Sequence, residues 1–94
     1  MNITSLGVID IARFIKVDLN DNSANELRML KDGAVAYVSS YTKLSKEKLD
    51  EHEDLTIAVL IIIAEMFENR TFTVESDSIN PIAKSILDLH DHNF

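Results

Sequence analysis

The stretch Asp54–Arg70, DLTIAVLIIIAEMFENR, decides the fold of this 94-residue chain. Between Leu55 and Phe67 only Thr56 and Glu65 are polar. At about 100° per residue they fall on opposite sides of a helix, so neither marks a broad solvated face. A helix that is apolar nearly all round is either a membrane span or the centre of a packed assembly. The uninterrupted apolar run, Ile57 to Ala64, is far short of the roughly 20 residues a span requires. The segment therefore reads as a core helix. A strand is the competing reading, because Ile57, Val59, Ile61, Ile62 and Ile63 are β-branched. The flanks favour the helix. Asp54 is a good N-cap with acids just before it. The other end runs on through Glu65, Met66, Phe67 and Glu68 without Gly or Pro, too long for a typical strand.

Working back from this helix, Thr42 to Glu53 is polar and charged, with Leu44 and Leu49 as its only apolar anchors. It reads as a connector with room for one helical turn at Lys46 to Leu49. The acidic run Asp50 to Asp54, DEHED, has the residue types of a cation site, but reads first as a solvated N-terminal cap for the central helix. Before it, Ser23 to Glu26, SANE, has the form of a capping box and predicts a helix start. Leu27, Leu30, Ala34, Tyr37, Val38 and Tyr41 then trace one helical face. Lys16 to Asn22, KVDLNDN, is turn chemistry. Ile3 to Ile15 predicts a short first helix capped by Thr4 or Ser5, with Gly7 in its first turn.

Beyond Arg70, TFTVESDSI alternates Phe72 and Val74 with polar residues and reads as a loop with a short extended arm. Asn80-Pro81 restarts a helix, Asn80 as cap and Pro81 at the first position. Ile82, Ala83, Ile86, Leu87 and Leu89 give that helix an apolar side. The expected fold is all-α: a single domain over residues 1–94, a small bundle of about four helices around one central hydrophobic helix.

Charge and composition narrow the function. The net charge is 9 − 16 = −7, unevenly placed. Residues 1–46 carry six Lys/Arg against five Asp/Glu, and residues 47–94 carry three against eleven. An acidic surface repels phosphate backbones and disfavours unaided binding of DNA or RNA. The plain reading is a solvated acidic surface; the sharper one is that the milder half of one subunit meets the acidic half of the next. There is no cysteine, and the start MNITSLGVID lacks the basic opening of a secretory signal, so a cytosolic chain is expected.

Few residue types here carry chemistry. No Gly-flanked Ser, Cys nucleophile or Ser/His/Asp arrangement is recognisable, and two distant glycines exclude a phosphate-cradling loop. An enzyme and a cofactor are not expected. Asp88, His90, Asp91 and His92 are the one cluster of metal-ligand types. His90 and His92 point about 200° apart on a helix, and Asp88 with His92 supplies too few ligands for zinc. A solvated tail without metal is the expectation.

The polar stripe Glu65, Glu68 and Asn69 exists only at the end of the central helix, and one and two turns earlier its place is taken by Ile61, Ile62 and Ala58. Three short helices are not expected to jacket so apolar a rod on every side. A second copy of the chain is expected to cover the remainder, with Ala58, Ile61, Ile62 and Glu65 in the interface.

At Phe67-Glu68-Asn69-Arg70, preceded by the apolar helix and followed by a loop and NPIAKSILDLH, the chain resembles the small phage head-tail connector family, whose members also go by the name of DNA-packaging proteins. The order agrees: a short first helix, the acid-bearing turn LNDNSANE, a helix carrying Ala36-Tyr37-Val38 and Tyr41-Thr42, then the Ile/Leu-rich helix closing in an aromatic-Glu-Asn-Arg tetrad. The likeness spans about residues 4–90. It departs in a lengthy acidic connector, Leu44 to Asp54, and in a Gly within each of the first two helices. The resemblance implies a phage or prophage structural protein that forms a homo-oligomeric ring between the portal protein and a tail-completion protein. Such a ring is assembled in the host cytoplasm and placed in the virion at the head-tail junction. DNA passes through it without sequence-specific binding, and no membrane is involved. In that setting Glu68 and Arg70 are structural or interface residues, Arg70 pairing a carboxylate or capping helix-end carbonyls. One alternative is a helical DNA-packaging regulator or DNA-binding subunit. It requires a basic recognition helix, for which Arg28 and Lys31 beside Asp32 are the sole candidates. A small hydrolase or metal protein built on DLHDH is the other.

Overall fold

The computed structural model describes residues 2–69 and 79–90. These form five helices and, among the described residues, no strand: α1 Val8–Ile15, α2 Asp21–Thr42, α3 Lys46–Leu49, α4 Glu53–Asn69 and α5 Pro81–Leu89. The fold is all-α. Helices α2 and α4 make the main packed pair, α5 lies on both, and α1 packs on α2 and α4. The core joins Leu27, Leu30, Ala34 and Val38 of α2 to Leu55, Val59, Ile62, Ile63 and Met66 of α4, with Leu49 of α3 and Leu87 of α5.

Helix α4 begins one residue before the expected cap, so Asp54 lies in its first turn with Glu53. The helical turn expected at Lys46–Leu49 is α3, capped by Ser45, whose hydroxyl accepts from the Lys48 amide at 3.3 Å. Helix α5 starts as the sequence predicts. The Asn80 side chain accepts from the amides of Ile82 (2.8 Å) and Ala83 (3.4 Å), and Pro81 takes the position where no amide is needed.

Two helix starts differ from expectation, each because a nearby box satisfies the orphan amides better. Gly7 does not interrupt α1. It is the N-cap, in extended conformation, and its N–H donates to the Asp10 carboxylate at 3.0 Å. Asn2 and Ser5 close a separate turn ahead of it: the Ser5 amide donates to Asn2 Oδ1 (2.8 Å) and the Asn2 amide to Ser5 Oγ (3.2 Å). That turn drops Ile3 and Leu6 into the core. In α2 the box is Asn20/Ser23 rather than Ser23/Glu26. The Ser23 amide donates to Asn20 Oδ1 (3.0 Å), and the Asn20 amide to Ser23 Oγ (2.8 Å). The earlier start adds a turn and buries Ala24.

The expectation that the chain could not jacket its central helix is overturned. Leu55, Thr56, Ala58, Val59, Ile62, Ile63 and Met66 are buried, Leu60, Ile61 and Phe67 are half-buried, and Ile57 alone among the large apolar side chains of α4 stands exposed. The reason lies in length. At ~1.5 Å per residue α2 runs about 33 Å against about 26 Å for α4, so one helix flanks the whole rod while α1 and α5 pack against other sides. Among the described residues no helix is long and apolar enough to cross a membrane.

The loop and extended arm expected around Phe72 and Val74, and the tail residues Asp91 and His92, lie outside the described residues.

Candidate functional site

The interface expected on α4 divides once its residues are placed. Ala58 and Ile62 are 0% and 1% exposed, packed into the chain's own core, and are corrected from interface to core residues. Ile61 and Glu65 are half-buried, Glu68 is exposed, and Arg70 lies outside the described residues. The outward stripe of α4 is Ile57, Ile61, Ala64 and Glu68, spaced as one helical face.

The larger apolar surface left open is on α5. Ile82, Ile86 and Leu89 follow one another at four and three residues and share a side of the helix. Ile82 is 64% exposed and Leu89 78%, with Ile57 of α4 at 51%. The flank of α5 away from this strip is polar and engaged with α2. Tyr41 donates its hydroxyl to Asp88 Oδ1, and Lys84 Nζ donates to Asp88 Oδ2 at 3.1 Å. The Tyr41 and Lys84 hydrogen bonds, in that order, hold the Asp88 carboxyl below the usual carboxylate range. The same bonds push the Tyr41 hydroxyl and the Lys84 ammonium upward. Tyr37 stacks at a tilt on Tyr41, ring centroids 5.9 Å apart, and burial raises its pKa. The fixed Tyr41–Asp88 flank thus orients the Ile82–Leu89 side outward. A second exposed set, Ile9, Phe14, Leu19 and Met29, belongs to the near-neutral half of the chain.

The tail residue His90 is not solvated as expected. Its side chain is 17% exposed, and Nε2 lies 2.7 Å from Asp54 Oδ2 at the start of α4. The His52 ring stands 4.4 Å from the His90 ring, centroid to centroid, at 47°. In the sequence His90 stands with its neighbours in DLHDH. The structure instead brings it to two residues of the acidic lead-in, and Asp88 points to Tyr41 and Lys84. A separation of 36 residues between Asp54 and His90 leaves no local signal.

The side chains proposed for reading DNA are engaged elsewhere. Lys31 Nζ donates to the Leu6 carbonyl at 2.7 Å, and Arg28 donates to Asn25 Oδ1 at 2.9 Å. A hollow of about 340 Å³ beside Lys31 is walled by Ile3, Thr4, Asp32, Val35, Ala36 and Lys46. Neither a family model, nor a curated protein, nor a solved structure matches the chain.

Proposed function

We propose that this chain is the non-catalytic subunit of a homo-oligomeric ring of the phage head-tail connector type, standing between portal and tail-completion proteins and passing DNA without reading it. The observation that carries this reading is the presence of exposed apolar side chains in both halves of the subunit. Ile57, Ile82 and Leu89 belong to the acidic half, and Ile9, Phe14, Leu19 and Met29 to the near-neutral half. Two different surfaces that each need cover, one more negative than the other, favour a head-to-tail contact. Heterologous contacts that close make rings. The helix order supports the same reading, with a short α1, a long α2 carrying Tyr37 and Tyr41, and an Ile-rich α4 ending at Phe67-Glu68-Asn69 before a terminal α5. A lumen lined by a protein of net charge −7 lets a polyanion slide rather than adhere.

The test is electron microscopy and sedimentation of the purified chain, alone and with a portal protein. Closed rings, or rings formed on the portal, are the expected result. A chain that stays monomeric at all concentrations and ignores the portal overturns the proposal. The charge match adds a second readout, because assembly that depends on it weakens as salt rises.

A further inference from the structure

We infer that His52, Asp54 and His90 form a binding site for a divalent d-block cation, zinc by ligand type, that fastens the end of α5 to the start of α4. This stands independently of the connector reading. Each residue offers one ligand atom, and the three atoms lie within 4.8 Å of one another, the one such group among the described residues. Two imidazoles and one carboxylate are the donor set of many three-ligand zinc sites, with a fourth position left for water. Magnesium and calcium, which prefer all-oxygen shells, are poor matches to two imidazoles.

The backbone holds the donors in place without a cation. The His52 amide donates to the Leu49 carbonyl (3.2 Å), and its carbonyl accepts from Leu55 N (3.2 Å), which pins the turn between α3 and α4. Asp54 sits in the first turn of α4, and the His90 amide donates to the Leu87 carbonyl at 3.0 Å. All three side chains are partly buried, so the site excludes some water yet stays accessible to an ion. His90 Nε2 and Asp54 Oδ2 stand at hydrogen-bond distance, 2.7 Å, with a proton between them. In a tetrahedral zinc site neighbouring ligand atoms stand ~3.3 Å apart. A cation replacing that proton therefore needs the pair to part by a few tenths of an ångström, which rotamer adjustment supplies. The carbonyl end of α5 favours cation charge, while the amide end of α4 beside Asp54 favours the carboxylate that would hold it.

The test is titration of the untagged protein, cleared of metal by chelator, with zinc and separately with magnesium. Uptake of one zinc per chain, a rise in Tm with zinc and none with magnesium are expected. His52→Gln keeps the His90–Asp54 contact and so leaves the metal-free fold intact, while its zinc affinity falls at least about tenfold, as loss of a direct ligand demands. His92→Gln should bind as the parent does. Cobalt(II) gives a reading independent of any variant: an intense tetrahedral visible spectrum is expected, and a pale spectrum like that of the hydrated ion overturns the site. Absence of stoichiometric zinc uptake overturns it too, as does uptake lost in His92→Gln and kept in His52→Gln.

Discussion

Replacing Ile82 by Glu separates assembly from folding. Ile82 keeps 64% of its surface open and occupies the first turn of α5, where its amide is held by Asn80. A carboxylate there meets the positive end of the helix dipole, worth roughly 0.3–1 kcal/mol in favour of the helix, so the isolated subunit loses no stability. At a contact between copies the balance reverses. Full burial of an Ile side chain is worth ~1.5–3 kcal/mol, and covering the open fraction about 1–2 kcal/mol. An unpaired carboxylate placed in that contact adds a desolvation cost of roughly 2 kcal/mol or more. The combined loss of ~3 kcal/mol weakens each contact about a hundredfold, and a ring multiplies it over every contact. Sedimentation velocity across a wide concentration range, with thermal denaturation alongside, reads both quantities. The expected variant melts at or above the parent temperature and fails to assemble where the parent does. A variant that assembles at the same concentration as the parent refutes the assignment of the α5 strip as a contact.

Ile62→Ala should behave oppositely. At 1% exposure it removes core packing at a cost of about 2–5 kcal/mol in subunit stability, and a loss below roughly 1 kcal/mol in urea unfolding would return Ile62 to the surface. Thr56 is buried with a hydroxyl that has no hydrogen-bond partner. Thr56→Val is therefore expected to raise stability by about 1 kcal/mol, and a lower Tm would show that the hydroxyl has a partner. The Asp50 carboxyl is held below its ordinary range, first by the Thr4 hydroxyl and then by the Thr4 amide. A depressed folded-state pKa stabilises above the ordinary carboxylate value of about 4 and ceases to do so as pH falls through the depressed value. Thr4→Val should thus lower Tm at neutral pH, with the gap to the parent narrowing in acid; a gap that widens in acid contradicts the sign.

What was legible in the sequence was whatever a single segment states about itself. The apolar period of α4, the Asn80-Pro81 start of α5, the single turn of α3 and the Leu27–Val38 face of α2 are all local patterns. The starts of α1 and α2 were displaced because Ser, Thr, Asn and Asp crowd both junctions, and several boxes compete there for the same amides. The jacketing of α4 was not legible. It depends on how long the facing helix is and on α1 and α5 folding back onto the rod, neither of which shows in the composition of α4. For the same reason Ala58 and Ile62 were misplaced on an interface, while the open strip on α5 looked like an ordinary core face. His52 and Asp54 are near neighbours in DEHED, but the arrival of His90 beside them is tertiary.

The segment ahead of α1 bears on the order in which the chain comes together. Thr4 donates through its amide (3.0 Å) and its hydroxyl to Asp50, and the Leu6 carbonyl accepts from Lys31 at 2.7 Å. During synthesis residues 2–6 are made before their anchor points, which follow 25 and 46 positions later. That stretch must therefore wait, greasy and unattached, until Lys31 and Asp50 have been made. It works as a buckle closed late, and trimming it would unfasten two distant stretches at once.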